Sequence, residues 1–302
     1  MTAAIEVDHL TKRYRETLAL DDVTVGFAEN TITGLLGRNG AGKTTLMSII
    51  TAQNFATHGT VRVFGREPYE NADVLSRMCF VRESQQYQDE SKPHHAFAAA
   101  RMFFANWDQQ LAESLVEEFR LPMNRTIKKL SRGQLSAVGV IIGIASRAEV
   151  TFFDEPYLGL DAVARQVFYD RLLADYAEHP RTIVLSSHLI DEIAHLVENV
   201  VVIDDGRIIV DTDAESLRGE ATTIVGQRSA VETFTAGRRV IHTDALGNTL
   251  AATVLGALTE ADRQALARAG LDTEAVSLQQ LVVRMTQHAH QAQTTTTKGA
   301  PR

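Results

Sequence analysis

Residues Gly37-Arg38-Asn39-Gly40-Ala41-Gly42-Lys43-Thr44 carry the clearest chemistry in the chain. Their spacing is G-x-x-x-x-G-K-T, the pattern of a phosphate-binding loop. Glycines let the backbone curl so that successive N–H groups point inward at phosphate oxygens. A helix predicted over Lys43 to Ile50 aims its partial positive end at the same anion. Lys43 adds a point charge near the β- and γ-phosphates, and the Thr44 hydroxyl, with Thr45 beside it, is placed to ligate Mg²⁺. A second constellation is Val150-Thr-Phe-Phe153 followed by Asp154-Glu155-Pro156. Asp154 would hold the metal, and Glu155 would polarise an attacking water as general base. Neighbouring side chains on a strand face opposite ways, so the chain must leave strand geometry there for both to serve one site. Pro156 suits that ending.

The elements that must position these groups alternate between strand-like and helix-like over the first two-thirds of the chain, which predicts an α/β fold. Strands are predicted around Ile5–Val7, Val23–Phe27, Thr31–Leu36, Val61–Phe64 and Cys79–Val81. Buried strands follow at Val150–Phe153, Thr182–Leu185 and Val200–Ile203. Asp205-Gly206 then signals a hairpin into Arg207–Val210. Between Pro93 and Arg125 the composition favours helix: Phe97–Trp107 and Leu111–Phe119 have helical spacing, and Leu121-Pro122 marks a break. After Asp211 the phosphate-type motifs stop. Strands at Thr222–Val225, Arg239–Ile241 and Ala252–Leu255, with helices at Glu260–Ala269 and Ser277–Thr286, predict a small α+β appendix.

The chain has 302 residues, 44% hydrophobic and 23% charged, with a formal net charge of −8. That length suggests two domains, and the apolar content excludes disorder throughout. A lone cysteine, Cys79, rules out a disulfide-stapled scaffold. No uninterrupted apolar region opens the chain, and Val138–Ala145 is far short of the ~20 residues needed to cross a bilayer. The acidic balance argues against a nucleic-acid partner.

Leu130-Ser131-Arg132-Gly133-Gln134 resembles the signature motif of ATP-binding cassette (ABC) ATPases, and it precedes the acidic strand end at that family's usual separation. Gly159-Leu160-Asp161 resembles the D-loop, His188 after Leu185-Ser-Ser187 the switch histidine, and Tyr14 the aromatic that stacks on adenine. The similarity covers Ala3 to Asp211 and is to the nucleotide-binding subunits of ABC transporters. It implies a P-loop NTPase of the ABC type over 1–211, a mixed central sheet with a helical subdomain at about 85–135. A C-terminal accessory domain over 212–290 and a disordered tail over 291–302 would follow.

The resemblance also implies a mechanism. Two subunits associate head to tail, each ATP lying between one subunit's P-loop and the other's signature. Ser131 opens a helix, so its hydroxyl and the amides of Gly133 and Gln134 can donate to the partner's γ-phosphate. His188 would sense that phosphate, and Asp161 would couple the two sites. The cofactors are then ATP and Mg²⁺. The partners are a second nucleotide-binding subunit, expected to be an identical copy, and transmembrane permease subunits. The chain would sit peripherally on the cytoplasmic face of the membrane through those partners. One cassette with a short C-terminal domain looks like bacterial drug or antimicrobial-peptide exporters, so export is expected over import. The alternatives are a soluble ABC ATPase acting on ribosomes or nucleic acid, and a regulatory cassette with weak hydrolysis.

Two positions depart from the family pattern. Arg132 stands where glycine is usual; its guanidinium could contact phosphate or point to solvent, and solvent is expected. After Cys79–Val81 the register that usually carries a metal-contacting glutamine holds Glu83, with Gln85 the other candidate. A carboxylate can ligate Mg²⁺ but opposes the γ-phosphate charge. His94-His95 and His288-x-His290 lack companion ligands and read as solvated histidines. Trp107 reads as part of the helical insert's core, and Met102, Phe103 and Phe104 read as packing rather than ligand contacts, though one could face the membrane partner.

Overall fold

In β1 (Ala3–Tyr14) the buried residues Ile5, Val7 and Leu10 alternate with exposed polar ones, the pattern of a half-buried strand. β2 (Thr17–Ala28) does the same with Leu20, Val23, Val25 and Phe27. The next strand, β3 (Ile32–Leu36), is buried along its whole length, as a central parallel strand should be. With β4 (His58–Val63), β1 and β2 form an antiparallel sheet in the order β2-β1-β4, Ile5 lying opposite both Phe27 and Val63. This structure is a computed structural model and describes residues 2–83, 85–217 and 220–285.

A second sheet contains β5 (Met78–Arg82), β6 (Val150–Asp154), β7 (Thr182–Ser187), β8 (Asn199–Asp204) and β9 (Arg207–Asp213), in the order β5-β6-β7-β3-β8-β9. Its inner pairs are parallel, and β8 turns into β9 through Asp205 and Gly206, both at positive φ. The helix Lys43–Ile50 lies between the two sheets: Leu46, Met47 and Ile50 share one core with Leu10, Val23, Phe152, Val184 and Ile203. The ends of β3, β6 and β7 therefore open at one edge, where open α/β sheets bind ligands.

Helices fill the stretch between β5 and β6. Pro93–Phe103 starts with proline at its first position and stops where Phe104 becomes extended, so it lies earlier than the predicted Phe97–Trp107. Trp107 falls in the following turn, its ring 6.3 Å from that of Phe97. Met102 and Phe103 are 87% and 73% exposed, contrary to their reading as packing residues. Next come Gln109–Glu118 and Arg132–Ala145, and then, after β6, Ala162–Glu178. Among the described residues no helix is long and apolar enough to cross a membrane.

The chain divides into two units. One takes 1–188 with 196–211, the other 189–195 with 212–302. In the second, β10 (Ala221–Gln227), β11 (Arg239–Leu246), β12 (Thr249–Leu255) and β13 (Asp272–Ala275) form an antiparallel sheet in the order β11-β12-β10-β13. Ile224, Val231, Leu250, Val254, Leu266 and Leu271 are its core. A helix over 278–285 is tied to the short turn Ile190–Ile193, because Asp191 accepts from Gln279 N and from Ser277 Oγ, each at 3.1 Å. The predicted tail from Gln291, the pair His288 and His290, and Thr286 lie outside the described residues.

Candidate active site

The loop after β3 leads into the helix Lys43–Ile50 through Gly42, at φ +114°. A Cβ on Gly42 would sit 2.7 Å from the Ala19 carbonyl oxygen, so no other residue fits both the conformation and the space. Lys43 is 5% exposed, and its Nζ donates to the Gly37 and Arg38 carbonyls at 2.7 and 3.1 Å. It also lies 3.3 Å from Glu155 Oε1. Ala41 N closes the loop onto Arg38 O at 3.1 Å. A cavity of about 310 Å³ opens above, lined by Asn39, Gly40, Gly42, Lys43, Thr44 and Thr45 and walled by Glu83, Asp154 and Glu155. The two constellations read from the sequence thus meet in one place.

Asp154 ends β6 with its carboxylate held on both sides. Ser186, its register partner on β7, donates to Oδ1 at 2.6 Å, and Thr44 Oγ1 donates to Oδ2 at 2.6 Å. A carboxylate and a hydroxyl oxygen facing one cavity form a hard-oxygen pair suited to Mg²⁺. Glu155 takes φ +49°, outside strand geometry, and this turns its side chain toward the same cavity as Asp154. The Ser186 hydroxyl also accepts from the Glu155 amide, at 3.0 Å.

His188 follows β7 with its Nδ1 2.8 Å from Glu155 Oε2. Tyr157, 2% exposed, brings its hydroxyl to 3.0 Å from the same Nδ1. Neither Tyr157 nor Ser186 stood out in the sequence. A buried polar residue at the end of an apolar strand was the available signal for Ser186. For Tyr157 it was an aromatic hydroxyl two residues beyond Glu155.

Ser131 caps the helix Arg132–Ala145, its hydroxyl accepting from Gln134 N at 3.2 Å while Gln134 Oε1 accepts from Ser131 N at 3.1 Å. Gly133 packs against the 156–160 loop so closely that a Cβ would lie 2.5 Å from Gly159 O. Asp161 caps the next helix, accepting from Ala164 N at 2.8 Å. Arg132 faces solvent, as expected, and it also forms an ion pair with Glu83. The two departures from the family pattern therefore contact each other. Glu83 walls the phosphate cavity, whereas Gln85 lines a separate apolar pocket with Cys79 and Tyr87. Tyr14 is 43% exposed, with Lys12 Nζ 4.7 Å above its ring, and its hydroxyl accepts from Asn54 Nδ2. His94 and His95 are exposed, as expected of solvated histidines, and His95 Nδ1 accepts from Lys92 N at 3.1 Å.

A glycine loop between a buried strand and a helix, facing an acidic strand end, defines a P-loop nucleotide-binding cassette. The ABC transporter family model matches residues 20–158. The daunorubicin/doxorubicin resistance ATP-binding protein DrrA of Streptomyces peucetius is 30% identical over 233 residues, covering 74% of this chain and 68% of that protein. The bacitracin transport ATP-binding protein BcrA of Enterococcus faecalis is 28% identical over 220 residues, covering 72% and 71%. A solved ATP-binding subunit of an ABC transporter superposes with a TM-score of 0.65 at 23% identity, covering 72% of this chain and 92% of that one. The chain belongs to the ATP-binding subunits of ABC transporters, and it is an ABC-type ATPase. Subunits of this family dimerise and partner with transmembrane subunits.

Proposed function

We propose that this chain hydrolyses MgATP at the seam of a dimer of two identical copies and thereby drives export through separate membrane subunits, to whose cytoplasmic side it binds. The observation that carries the reading is that Lys43 and Glu155 line the cavity walled by Asp154 and contact each other, with His188 against Glu155. Gly37 to Thr45 would cradle the phosphates through backbone N–H groups, with Lys43 leaving its loop carbonyls for the β- and γ-oxygens. Thr44 and Asp154 would hold Mg²⁺, which supplies charge neutralisation for the phosphates when bound. Glu83 would join them through the carboxylate that also pairs with Arg132. Glu155 would take the proton of the attacking water, and His188 would donate to the γ-phosphate. Ser131, Gly133 and Gln134 of one copy would meet the nucleotide of the other, with Asp161 at the shared seam and Tyr14 against the adenine. Export is supported by the names of DrrA and BcrA, a resistance and a transport protein.

The test is Glu155→Gln. Phosphate release should fall by about a hundredfold or more while ATP affinity is retained. Normal turnover in that variant would remove Glu155 as the base.

A further inference from the structure

Tyr157 lies between the two groups assigned to chemistry, and its hydroxyl is the meeting point of four polar atoms. His188 N donates to it at 3.2 Å, and Ser187 Oγ donates to it at 3.2 Å. His188 Nδ1 stands 3.0 Å away, and Glu155 Oε2 stands 3.5 Å away. A phenol has one proton and two lone pairs. With the His188 amide donating to the oxygen, the phenolic proton can face Nδ1 or the carboxylate. Nδ1 is itself 2.8 Å from Glu155 Oε2, a distance at which two lone pairs would repel. A hydrogen therefore lies between Nδ1 and Glu155 Oε2, with the phenol beside both, while Glu155 Oε1 faces Lys43 Nζ at 3.3 Å.

These contacts hold the Glu155 carboxylate and the His188 imidazole against one hydroxyl, which limits the rotamers open to both. The phenol is held rigidly: its ring is buried, 5.8 Å from the His188 ring, with the Arg165 guanidinium 5.7 Å over its face.

We propose that Tyr157 is a positioning residue for hydrolysis, its hydroxyl locking Glu155 and His188 into a single array. Tyr157 is not among the residues lining the phosphate cavity, so its hydroxyl acts through its neighbours. The inference rests on the reading of Glu155 as the base.

Tyr157→Phe keeps the ring and removes only the hydroxyl. In the purified full chain with MgATP, kcat should fall about tenfold or more, since one fixed hydrogen bond to each partner is lost. KM for ATP should stay within about twofold, and the melting temperature should be held by the unchanged ring packing. An unchanged kcat overturns the proposal. So does a fall in kcat matched by a parallel rise in KM or loss of thermal stability, which would make Tyr157 a packing residue. Glu155→Gln is assayed alongside. Normal turnover there fails the site reading as a whole, whereas loss there with normal Tyr157→Phe turnover fails this inference alone.

Discussion

Arg132 and Glu83 are ion-paired within one chain, joining the first turn of the helix Arg132–Ala145 to the segment that follows β5. The pair brings together the two residues at which the chain departs from its family's usual motifs. Glu83 also walls the phosphate cavity, and its amide donates to Asp154 O at 3.1 Å. The guanidinium is 68% exposed, so the pair adds at most about 1 kcal/mol to stability after solvent screening. Its weight lies in the charge it offsets beside a triphosphate site.

Removing that offset should show in nucleotide affinity. Arg132→Gly leaves the Glu83 carboxylate uncompensated, and binding of a fluorescent ATP analogue should weaken by about fivefold. Adding Glu83→Gln to that variant should restore the affinity. A doubly substituted protein that binds no better than Arg132→Gly would separate the pair from nucleotide binding.

Lys43 is held by two loop carbonyls and by Glu155. Loss of a charge-assisted contact costs ~1.5–3 kcal/mol, so Lys43→Ala should weaken ATP binding by at least about tenfold in calorimetric titration. Affinity equal to wild type would contradict the cradle assignment.

Metal dependence follows from the Thr44–Asp154 contact. Chelation with EDTA should stop phosphate release, and Mg²⁺ should restore it. In Asp154→Asn the Mg²⁺ concentration for half-maximal release should rise about tenfold, because a neutral amide is a poorer ligand than a carboxylate. An unchanged Mg²⁺ requirement would place the ion elsewhere.

Cys79 is 3% exposed on β5, and burial pushes its thiol up to about 12. The native chain at pH 8 should therefore resist iodoacetamide until it is unfolded in guanidinium. The linkage sign follows from the raised value. The thiol's contribution to stability is complete below the unfolded value of about 8.5 and declines as pH rises toward the folded one. Rapid labelling of native protein at pH 8 would show that the thiol is accessible.

Strands with strong periodicity or continuous burial were legible from sequence, from Ile5 in β1 to Ile203 in β8, because each has one dominant apolar pattern. The cradle helix Lys43–Ile50 was equally plain. β13 was not, since Asp272-Thr-Glu-Ala275 is exposed throughout and is held by pairing with β10. The helix Ala162–Glu178 also went unread, its apolar residues forming no sharp stripe. At the site, the loop and the acidic strand end were readable because their chemistry is local in sequence. The Arg132–Glu83 pair and the Tyr157 hydroxyl were not. Each joins residues far apart in the chain, and only the fold brings them together.

Two copies are expected to close around ATP and to open after hydrolysis. Light scattering of Glu155→Gln with saturating MgATP measures this most directly. The expected particle has twice the 33.2 kDa chain mass and returns to monomer when nucleotide is removed. A variant that stays at the monomer mass under saturating MgATP, with its membrane partner also present, would contradict it.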